Sequence, residues 1–214
     1  MTESHFAYPI VLNLSGRRAL VVGGGEVALR KARALADAGA HVRVVAPKLV
    51  AGFTEDGRFE CAAARYEKGH LEGARIAVAA TDDEAVNRQV AEDARAAGVL
   101  VNVVDRPEEC NFIVPAQVRR GDLLIAISTS GTAPALAKRL RERLEKEFGP
   151  EYATYLAVLR EVREDLKKRN IPADLRRRIF ERLAEDDLLA AARGGRNVLL
   201  EVVGKVMADC LNSE

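Results

Sequence analysis

Three consecutive glycines, Gly23, Gly24 and Gly25, stand between an apolar run and a segment with helical periodicity. The apolar run at 19–22 is typical of a buried strand, and the segment that begins at Glu26 is typical of a helix. A dinucleotide pyrophosphate needs this order, because glycine permits a tight turn and a close backbone approach, and the helix N-terminus attracts the anion. We therefore expect a cofactor site at Gly23, Gly24, Gly25, Glu26 and Val27, against the alternative of a purely structural turn.

A carboxylate, Asp105, directly follows another apolar run at 99–104. At the carboxyl end of a central strand, this side chain would face the cofactor and could act as a general base. The alternative is a structural role, because residues 105–108 are also a good turn sequence. The residues alone leave both interpretations open.

Three polar residues are expected to line the same nucleotide site. Thr81 and Asp82 follow the apolar run at 76–80, and Asn102 lies inside the run at 99–104. Each has a structural alternative, because Thr81 or Asp82 could cap the following helix and Asn102 could satisfy a backbone group at a strand end.

The second predicted strand lacks the acidic residue that often holds the ribose hydroxyls in NAD-binding units. This strand, at 41–46, is followed by Pro47 and Lys48. Backbone groups around Pro47 and Lys48 could contact the ribose instead. Lys48 could also meet a 2′-phosphate or simply be solvated, so the choice between NAD and NADP stays open.

The elements that position these residues alternate between strand-like and helix-like patterns. Such alternation predicts parallel βαβ units, and therefore a Rossmann-like α/β domain with its ligand at the carboxyl ends of the strands. The predicted strands are 9–14 at an edge, 18–22, 41–46, 59–64, 76–80 and 99–104, and the predicted helices are 26–38 and 84–97.

The pattern changes near residue 112. Strand-like runs at 112–118 and 123–128 predict a hairpin whose turn contains Arg119 and Arg120. A small polar loop then leads into a charged helix at 133–148, with Thr132 as its expected N-cap. The predicted fold is thus a Rossmann-like domain at 1–113, a small α+β segment at 114–148 and a helical domain at 149–214.

Composition excludes several classes of function. Lys and Arg total 33 against 32 Asp and Glu, so a net charge of +1 gives no reason to expect nucleic acid or an anionic membrane. No apolar run approaches the roughly 20 residues of a membrane span, and the N-terminus does not resemble a signal peptide. The 3 cysteines form no CxxC pair, and no His/Cys cluster has metal-ligand spacing. We expect a cytoplasmic protein without a metal site.

Three segments together resemble one family. They are residues 9–14 with 23–31, residues 101–105 with 110–115, and residues 127–134. This combination is similar to precorrin-2 dehydrogenase, the N-terminal module of siroheme synthases, over about residues 8–148. The third segment is the most specific, because few Rossmann proteins follow the sheet with such a hairpin and Gly-Thr-Ala-Pro loop.

The resemblance implies NAD-dependent oxidation of precorrin-2 to sirohydrochlorin, and in some members insertion of Fe²⁺. It also implies a homodimer whose central segments interlock, and a catalytic role for Asp105. The substrate is a tetrapyrrole rich in carboxylates, which suits hydroxyls, backbone N–H groups and a helix N-terminus. The expected substrate-binding residues are therefore Ser128, Thr129, Ser130, Gly131 and Thr132, with Arg119 and Arg120 either adding contacts or remaining solvated.

Two other functions compete with this interpretation. A nucleotide-sensing regulatory module would bind the cofactor without turnover, but such modules usually keep the acidic residue that is missing after the second strand. Another NAD(P)-dependent oxidoreductase would usually bring a Tyr-Lys pair, and none of the 4 tyrosines has YxxxK spacing.

Overall fold

The structure, a computed structural model, describes residues 8–212, except for the side chain of residue 186. These residues form two compact units that divide between Val114 and Pro115. The predicted division into three parts is finer and stays a prediction. In the part of the chain that is described, no helix is both long enough and apolar enough to cross a membrane.

Unit 1 contains a five-stranded sheet with the order β3-β2-β1-β4-β5. All neighbours are parallel, and the order reverses at β1, which pairs with β2 on one side and β4 on the other. The strands are β1 (Arg18–Val22), β2 (His41–Val45), β3 (Phe59–Ala62), β4 (Ala74–Ala79) and β5 (Leu100–Val103). The helices are α1 (Glu26–Asp37), α2 (Gly52–Asp56) and α3 (Glu84–Ala96), with single 3₁₀ turns at Lys68–Leu71 and Pro107–Glu109. The predicted Rossmann-like α/β fold is confirmed.

Helices cover both faces of this sheet, which explains the continuous apolar runs at 19–22 in β1 and 76–79 in β4. In β1, Val21 packs with Ala28 and Ala32 of α1, whereas Leu20 packs with Val90 of α3 on the opposite face. Side chains that alternate between two buried faces give the continuous apolar runs seen in the sequence.

Two predictions about the edges of the sheet are wrong. Residues 9–14 form no strand, because no described strand pairs with them, and Ile10 and Val11 remain exposed. Strand β5 is an edge strand rather than a central one. Its outer edge is closed by Asn111, whose Oδ1 accepts from Val101 N–H (2.7 Å) and whose Nδ2 donates to Val99 O (3.3 Å).

The predicted cap of α3 is also wrong. Asp83 is the N-cap, and its carboxylate accepts from the N–H groups of Ala85 (2.9 Å) and Val86 (3.2 Å). Thr81 and Asp82 precede the cap and belong to the loop after β4.

Unit 2 begins with an antiparallel hairpin, β6 (Ala116–Arg120) and β7 (Leu123–Ile127). Five helices follow, α4 (Pro134–Glu147), α5 (Glu151–Lys168), α6 (Ala173–Arg182), α7 (Asp186–Arg193) and α8 (Arg196–Asn212). The last four share one apolar core, in which Val158, Leu166, Ile179 and Leu199 are fully buried.

Three local predictions for unit 2 are wrong. The first strand begins at Ala116 rather than at residue 112. Arg119 and Arg120 pair with Leu124 and Leu123 inside the ladder, so the turn consists of the two residues between the strands. Thr132 does not cap α4, because the N-cap position falls on Ala133, which has no side chain that can accept a hydrogen bond.

Candidate functional site

The tight turn after β1 depends on Gly23. Its φ is 137°, and a Cβ at this position would collide with the carbonyl oxygen of Ala80. The Gly23 N–H donates to Val45 O (3.0 Å), so the residue lies between the ends of β2 and β4. Only glycine satisfies both the conformation and the close approach.

Gly24 brings the chain after β2 into the same region. A Cβ at Gly24 would collide with the carbonyl oxygen of Lys48, and Val50 N–H donates to Gly24 O (2.9 Å). Pro47 and Lys48, both exposed, therefore lie against the glycine turn, where the sequence predicted the ribose contacts.

Gly25 differs from its two neighbours. Its backbone is ordinary (φ −88°), and a Cβ there would meet no protein atom within 4 Å. Gly25 is also the N-cap of α1, which has no side-chain cap, and Glu26 and Val27 of the first turn are exposed. Open space before an uncapped helix start fits a phosphate group, because the first N–H groups of a helix lack partners within it.

The loop after β4 is fixed by Asn87, a buried residue of α3. Asn87 Nδ2 donates to Thr81 O (2.9 Å), and Asn87 Oδ1 accepts from Thr81 N–H (3.1 Å) and lies 2.8 Å from the Thr81 hydroxyl. The polar groups of Thr81 thus serve the loop itself, while Asp82 is exposed at the carboxyl end of the sheet. Contact of either residue with the cofactor stays a prediction.

Asp105 lies in a tight turn after β5. Its backbone is left-handed (φ 60°), and Arg106 N–H donates to Val103 O (3.3 Å) across the turn. Val104 N–H donates to Ala79 O (2.9 Å), which keeps the chain beside β4 up to the turn. The exposed Asp105 therefore stands at the carboxyl end of the sheet, the same end as the glycine turn.

Cys110 and Asn102 lie behind the Asp105 turn. The Cys110 thiol contacts Val103 N–H (3.1 Å), Val103 O (3.3 Å) and Arg106 O (3.2 Å). Asn102 is buried, and its Nδ2 donates to Phe112 O (3.2 Å). The amide nitrogen of Asn102 is thus used by the protein, and cofactor contact through this residue stays a prediction.

Lys31, on α1, lies within electrostatic reach of Asp105. Burial lowers the pKa of Lys31 below its usual value and the neighbouring Arg30 adds to this effect, whereas Cys110 and Asp105 act in the opposite direction. A half-buried ammonium therefore accompanies the carboxylate at this end of unit 1.

The Ser128–Thr132 segment of unit 2 is held by its own hydroxyls. Ser128 Oγ accepts from Ser130 N–H (3.1 Å), and Thr129 Oγ1 accepts from Ala133 N–H (3.3 Å). Ser130 (φ 50°) and Gly131 (φ 81°) are both left-handed. The loop leads into α4, which has no side-chain cap, so exposed N–H groups are available to an anion.

The two arginines of β6 lie away from this loop. Arg120 donates to Phe148 O (2.9 Å) and Glu145 O (3.0 Å), and thereby caps the carboxyl end of α4. The loop precedes the opposite end of that helix, about 20 Å away at 1.5 Å per residue. Arg119 is exposed at the same end of the hairpin as Arg120. The structure does not bring the arginines and the loop together, so their use by one substrate group stays a prediction.

Sequence reasoning missed three residues of unit 1. Asn87 could have been identified from the sequence, because it is a polar residue on the apolar face of α3 that also carries Val90, Ala91 and Ala94. Neither Cys110 nor Lys31 could be identified in this way, because the hydrogen bonds of Cys110 and the electrostatic interaction of Lys31 with Asp105 join segments that are distant in the sequence. Among the described residues, no group of three or more His, Cys, Asp or Glu could hold a metal ion.

Comparisons with known proteins match both units. Residues 10–116 match the family described as "Putative NAD(P)-binding", and residues 120–147 match "Sirohaem biosynthesis protein central". The siroheme synthase of Azotobacter vinelandii is 47% identical over 175 residues, covering 80% of this chain and 38% of that protein. The siroheme synthase of Chromobacterium violaceum is 45% identical over 191 residues, covering 88% of this chain and 41% of that protein.

A solved structure, "SirC, precorrin-2 dehydrogenase", is similar with a TM-score of 0.75 and 30% identity, covering 93% of this chain and 100% of that one. The chain belongs to the precorrin-2 dehydrogenase and siroheme synthase N-terminal module family. It spans about two fifths of the length of the two siroheme synthases. The NAD(P)-binding match contains the glycine turn and Asp105, and the sirohaem match contains the Ser128–Thr132 loop.

Proposed function

We propose that the chain oxidises precorrin-2 to sirohydrochlorin with NAD, a step of siroheme biosynthesis. The observation that carries this proposal is the open space at Gly25, before an uncapped helix, in a chain that also carries the sirohaem central segment. The similarity to a precorrin-2 dehydrogenase over the whole of that protein supports the same reaction.

Residues at the carboxyl end of the sheet would hold the cofactor. Gly23, Gly24 and Gly25, with Glu26 and Val27, would contact the pyrophosphate. Backbone groups of Pro47 and Lys48 would contact the ribose, and Thr81, Asp82 and Asn102 would line the remaining site. When bound, NAD supplies the acceptor for the hydride.

Asp105 supplies the general base, which the cofactor does not provide. The dehydrogenation removes a proton as well as a hydride, and the Asp105 carboxylate accepts that proton as a general base. A turn fixed on both sides restricts where this carboxylate can lie, and such positioning lowers the cost of reaching the reactive geometry.

The Ser128–Thr132 loop binds carboxylates of the substrate in this proposal. The hydroxyls of Ser128 and Thr129 accept within the loop and can still donate to a carboxylate, and the start of α4 provides a positive dipole end. Arg119 and Arg120 are further proposed contacts, to other carboxylates of the same large molecule. The 114–148 segment is proposed to interlock in a homodimer.

Anaerobic incubation of the protein with precorrin-2 and NAD⁺ tests the activity by the absorbance of NADH and sirohydrochlorin. Asp105→Asn is the sharpest variant, because asparagine tolerates the left-handed backbone that alanine would strain. We expect turnover to fall at least about 100-fold, with NAD affinity unchanged. Glu108→Gln, which neutralises a nearby exposed carboxylate, serves as the matched control and should retain activity. Near-normal turnover by Asp105→Asn would rule out its role as the base.

Fe²⁺ insertion is a second proposed activity of the same chain, with the ion as a substrate. Adding Fe²⁺ after complete dehydrogenation tests it, because siroheme formation changes the absorbance spectrum. NADH formation without metal insertion would identify a dehydrogenase only.

The free thiols of Cys61, Cys110 and Cys210 support the proposed cytoplasmic location.

A further inference from the structure

The Cys110 thiol makes contacts on both sides of Asp105. Before Asp105, the sulfur accepts from Val103 N–H (3.1 Å) and lies 3.3 Å from Val103 O. After Asp105, it lies 3.2 Å from Arg106 O. One side chain thus connects the last residue of β5 to the residue that follows the carboxylate.

These contacts replace a missing neighbour strand. Val103 pairs with Ala79 of β4 on its inner side, and no described strand lies on the outer side of β5. Without the thiol, the outward N–H of Val103 would have no partner from a strand, and its carbonyl oxygen would keep the Arg106 N–H of the turn. The thiol meets both of them, so the end of β5 is held in place where the sheet itself cannot hold it.

The segment that carries Cys110 is itself fixed to β5. Asn102 Nδ2 donates to Phe112 O (3.2 Å) and contacts the Cys110 sulfur (3.4 Å). Asn111 N–H donates to Val101 O (3.0 Å). The segment from which the thiol contacts the Asp105 turn is therefore itself held in place by hydrogen bonds to β5.

Asp105 needs such support because of its backbone. A left-handed residue other than glycine costs roughly 1 kcal/mol and persists where its surroundings hold it. We propose that Cys110 is a positioning residue for the dehydrogenation, which holds the Asp105 carboxylate in place through the backbone on either side. This inference rests on the proposed function of Asp105.

Cys110→Ala removes the sulfur contacts and tests the inference in the full chain. We expect kcat for precorrin-2 oxidation to fall at least about tenfold, because small displacements of a reacting group carry such losses. The KM for NAD should stay within about twofold, since Cys110 contacts none of the glycine turn and Asn102 keeps its hydrogen bond to Phe112 O without the thiol. Cys110→Ser keeps a donor and an acceptor and should restore part of the rate. Cys61→Ala, an exposed cysteine of β3, is the matched control.

A double-mutant cycle separates positioning from mere stability. If Cys110 acts through Asp105, adding Cys110→Ala to Asp105→Asn should reduce kcat no further, because residues that act as a unit are not additive. Hydrogen exchange of the Val103 amide should accelerate in Cys110→Ala while the global Tm changes little.

Two outcomes would overturn the inference in different ways. If Asp105→Asn loses turnover while Cys110→Ala keeps a kcat within about twofold of the parent, Cys110 does not position the base. The same conclusion follows if Cys110→Ala costs an equal factor in both backgrounds. If Asp105→Asn itself turns over normally, the proposed role of Asp105 fails first and the role of Cys110 in catalysis fails with it.

Discussion

The helix start proposed to bind the cofactor, in unit 1, and the helix start proposed to bind the substrate, in unit 2, are built in opposite ways. Before α1, Gly23 and Gly24 are pressed against backbone carbonyls from the ends of neighbouring strands. Before α4, a Cβ added at Gly131 would meet no protein atom within 4 Å, and the loop is held by the hydroxyls of Ser128 and Thr129. The first loop is fixed by tertiary packing and the second by local hydrogen bonds. Changes at Gly23 or Gly24 should therefore damage the fold, and changes in the Ser128–Thr132 loop should mainly affect binding.

Gly25 and Gly131, the two glycines of these loops with open space around an added Cβ, also differ as evidence for a ligand. Gly131 has a left-handed backbone (φ 81°), which alone accounts for the absence of a side chain. Gly25 has an ordinary backbone and open space around its missing Cβ, so neither conformation nor packing accounts for it. Glycine is accepted at an N-cap, but the side chains that usually cap a helix would fit there too, so the close approach of a group from outside the protein is a further reason for glycine at this position. Gly25 is thus the stronger indication of a ligand.

The largest effect is expected for Gly23→Ala. The new Cβ would meet the Ala80 carbonyl, which belongs to the backbone and cannot move aside cheaply. Overpacking and the positive φ together should lower the free energy of unfolding by about 3 kcal/mol. Urea unfolding measures this loss. Gly69→Ala, at a glycine with open space and no positive φ, should be close to neutral, and similar losses in both variants would contradict the packing argument.

Gly25→Ala should separate binding from folding. No protein atom opposes the new Cβ, so the free energy of unfolding should fall by about 1 kcal/mol or less, the cost of alanine in place of glycine at an N-cap. If a phosphate occupies this space, NAD affinity should fall about tenfold or more, which corresponds to about 1.4 kcal/mol. Titration calorimetry with NAD measures the affinity. An unchanged affinity would show that the cofactor does not approach Gly25, whatever binds elsewhere on the unit.

The sequence predicts which strands, turns and helices form better than it predicts the tertiary contacts that hold them in place. The β1 strand, the glycine turn and α1 follow from local pattern, because each needs only its own residues and a buried sheet. The edge position of β5 could not be predicted, since it depends on Asn111 closing the outer side of the strand. The contacts of Cys110 could not be predicted either, because they also join segments that are separated in the sequence. Caps are a third case, because Asp83 and its two neighbours upstream are all suitable residues, and only the geometry selects one.

Gly131→Ala should give a smaller effect, confined to unit 2. The alanine must adopt φ 81°, which costs about 1 kcal/mol, although no protein atom obstructs its Cβ. The proposed role of the loop further predicts a raised KM for precorrin-2 and an unchanged KM for NAD. Steady-state kinetics with each substrate varied in turn measures both. A raised KM for NAD alone would place the loop at the cofactor instead.

The smallest expected effect is on the stability of the protein at acid pH. One aspartate in each unit, Asp56 and Asp187, allows the two units to be compared. The hydrogen bond from Arg58, assisted by Arg33, lowers the pKa of Asp56 in unit 1 to about 2. In unit 2, the hydrogen bonds from Arg182 lower the pKa of Asp187. A lowered folded-state pKa means that each carboxylate contributes stability above its unfolded value of about 3.8 and loses it as the pH falls.

Asp56→Asn should therefore lower the Tm at neutral pH, and the difference from the parent should close between about pH 4 and pH 2. Asp187→Asn is the matched variant in unit 2 and should have the smaller effect, because that carboxylate has one arginine hydrogen-bond partner, Arg182, whereas Asp56 has two, Arg33 and Arg58. Thermal unfolding followed by circular dichroism across this pH range measures both. A Tm difference for Asp56→Asn that persists unchanged at about pH 2 would mean that the asparagine perturbs packing, and that the paired arginines are not the source of the stability.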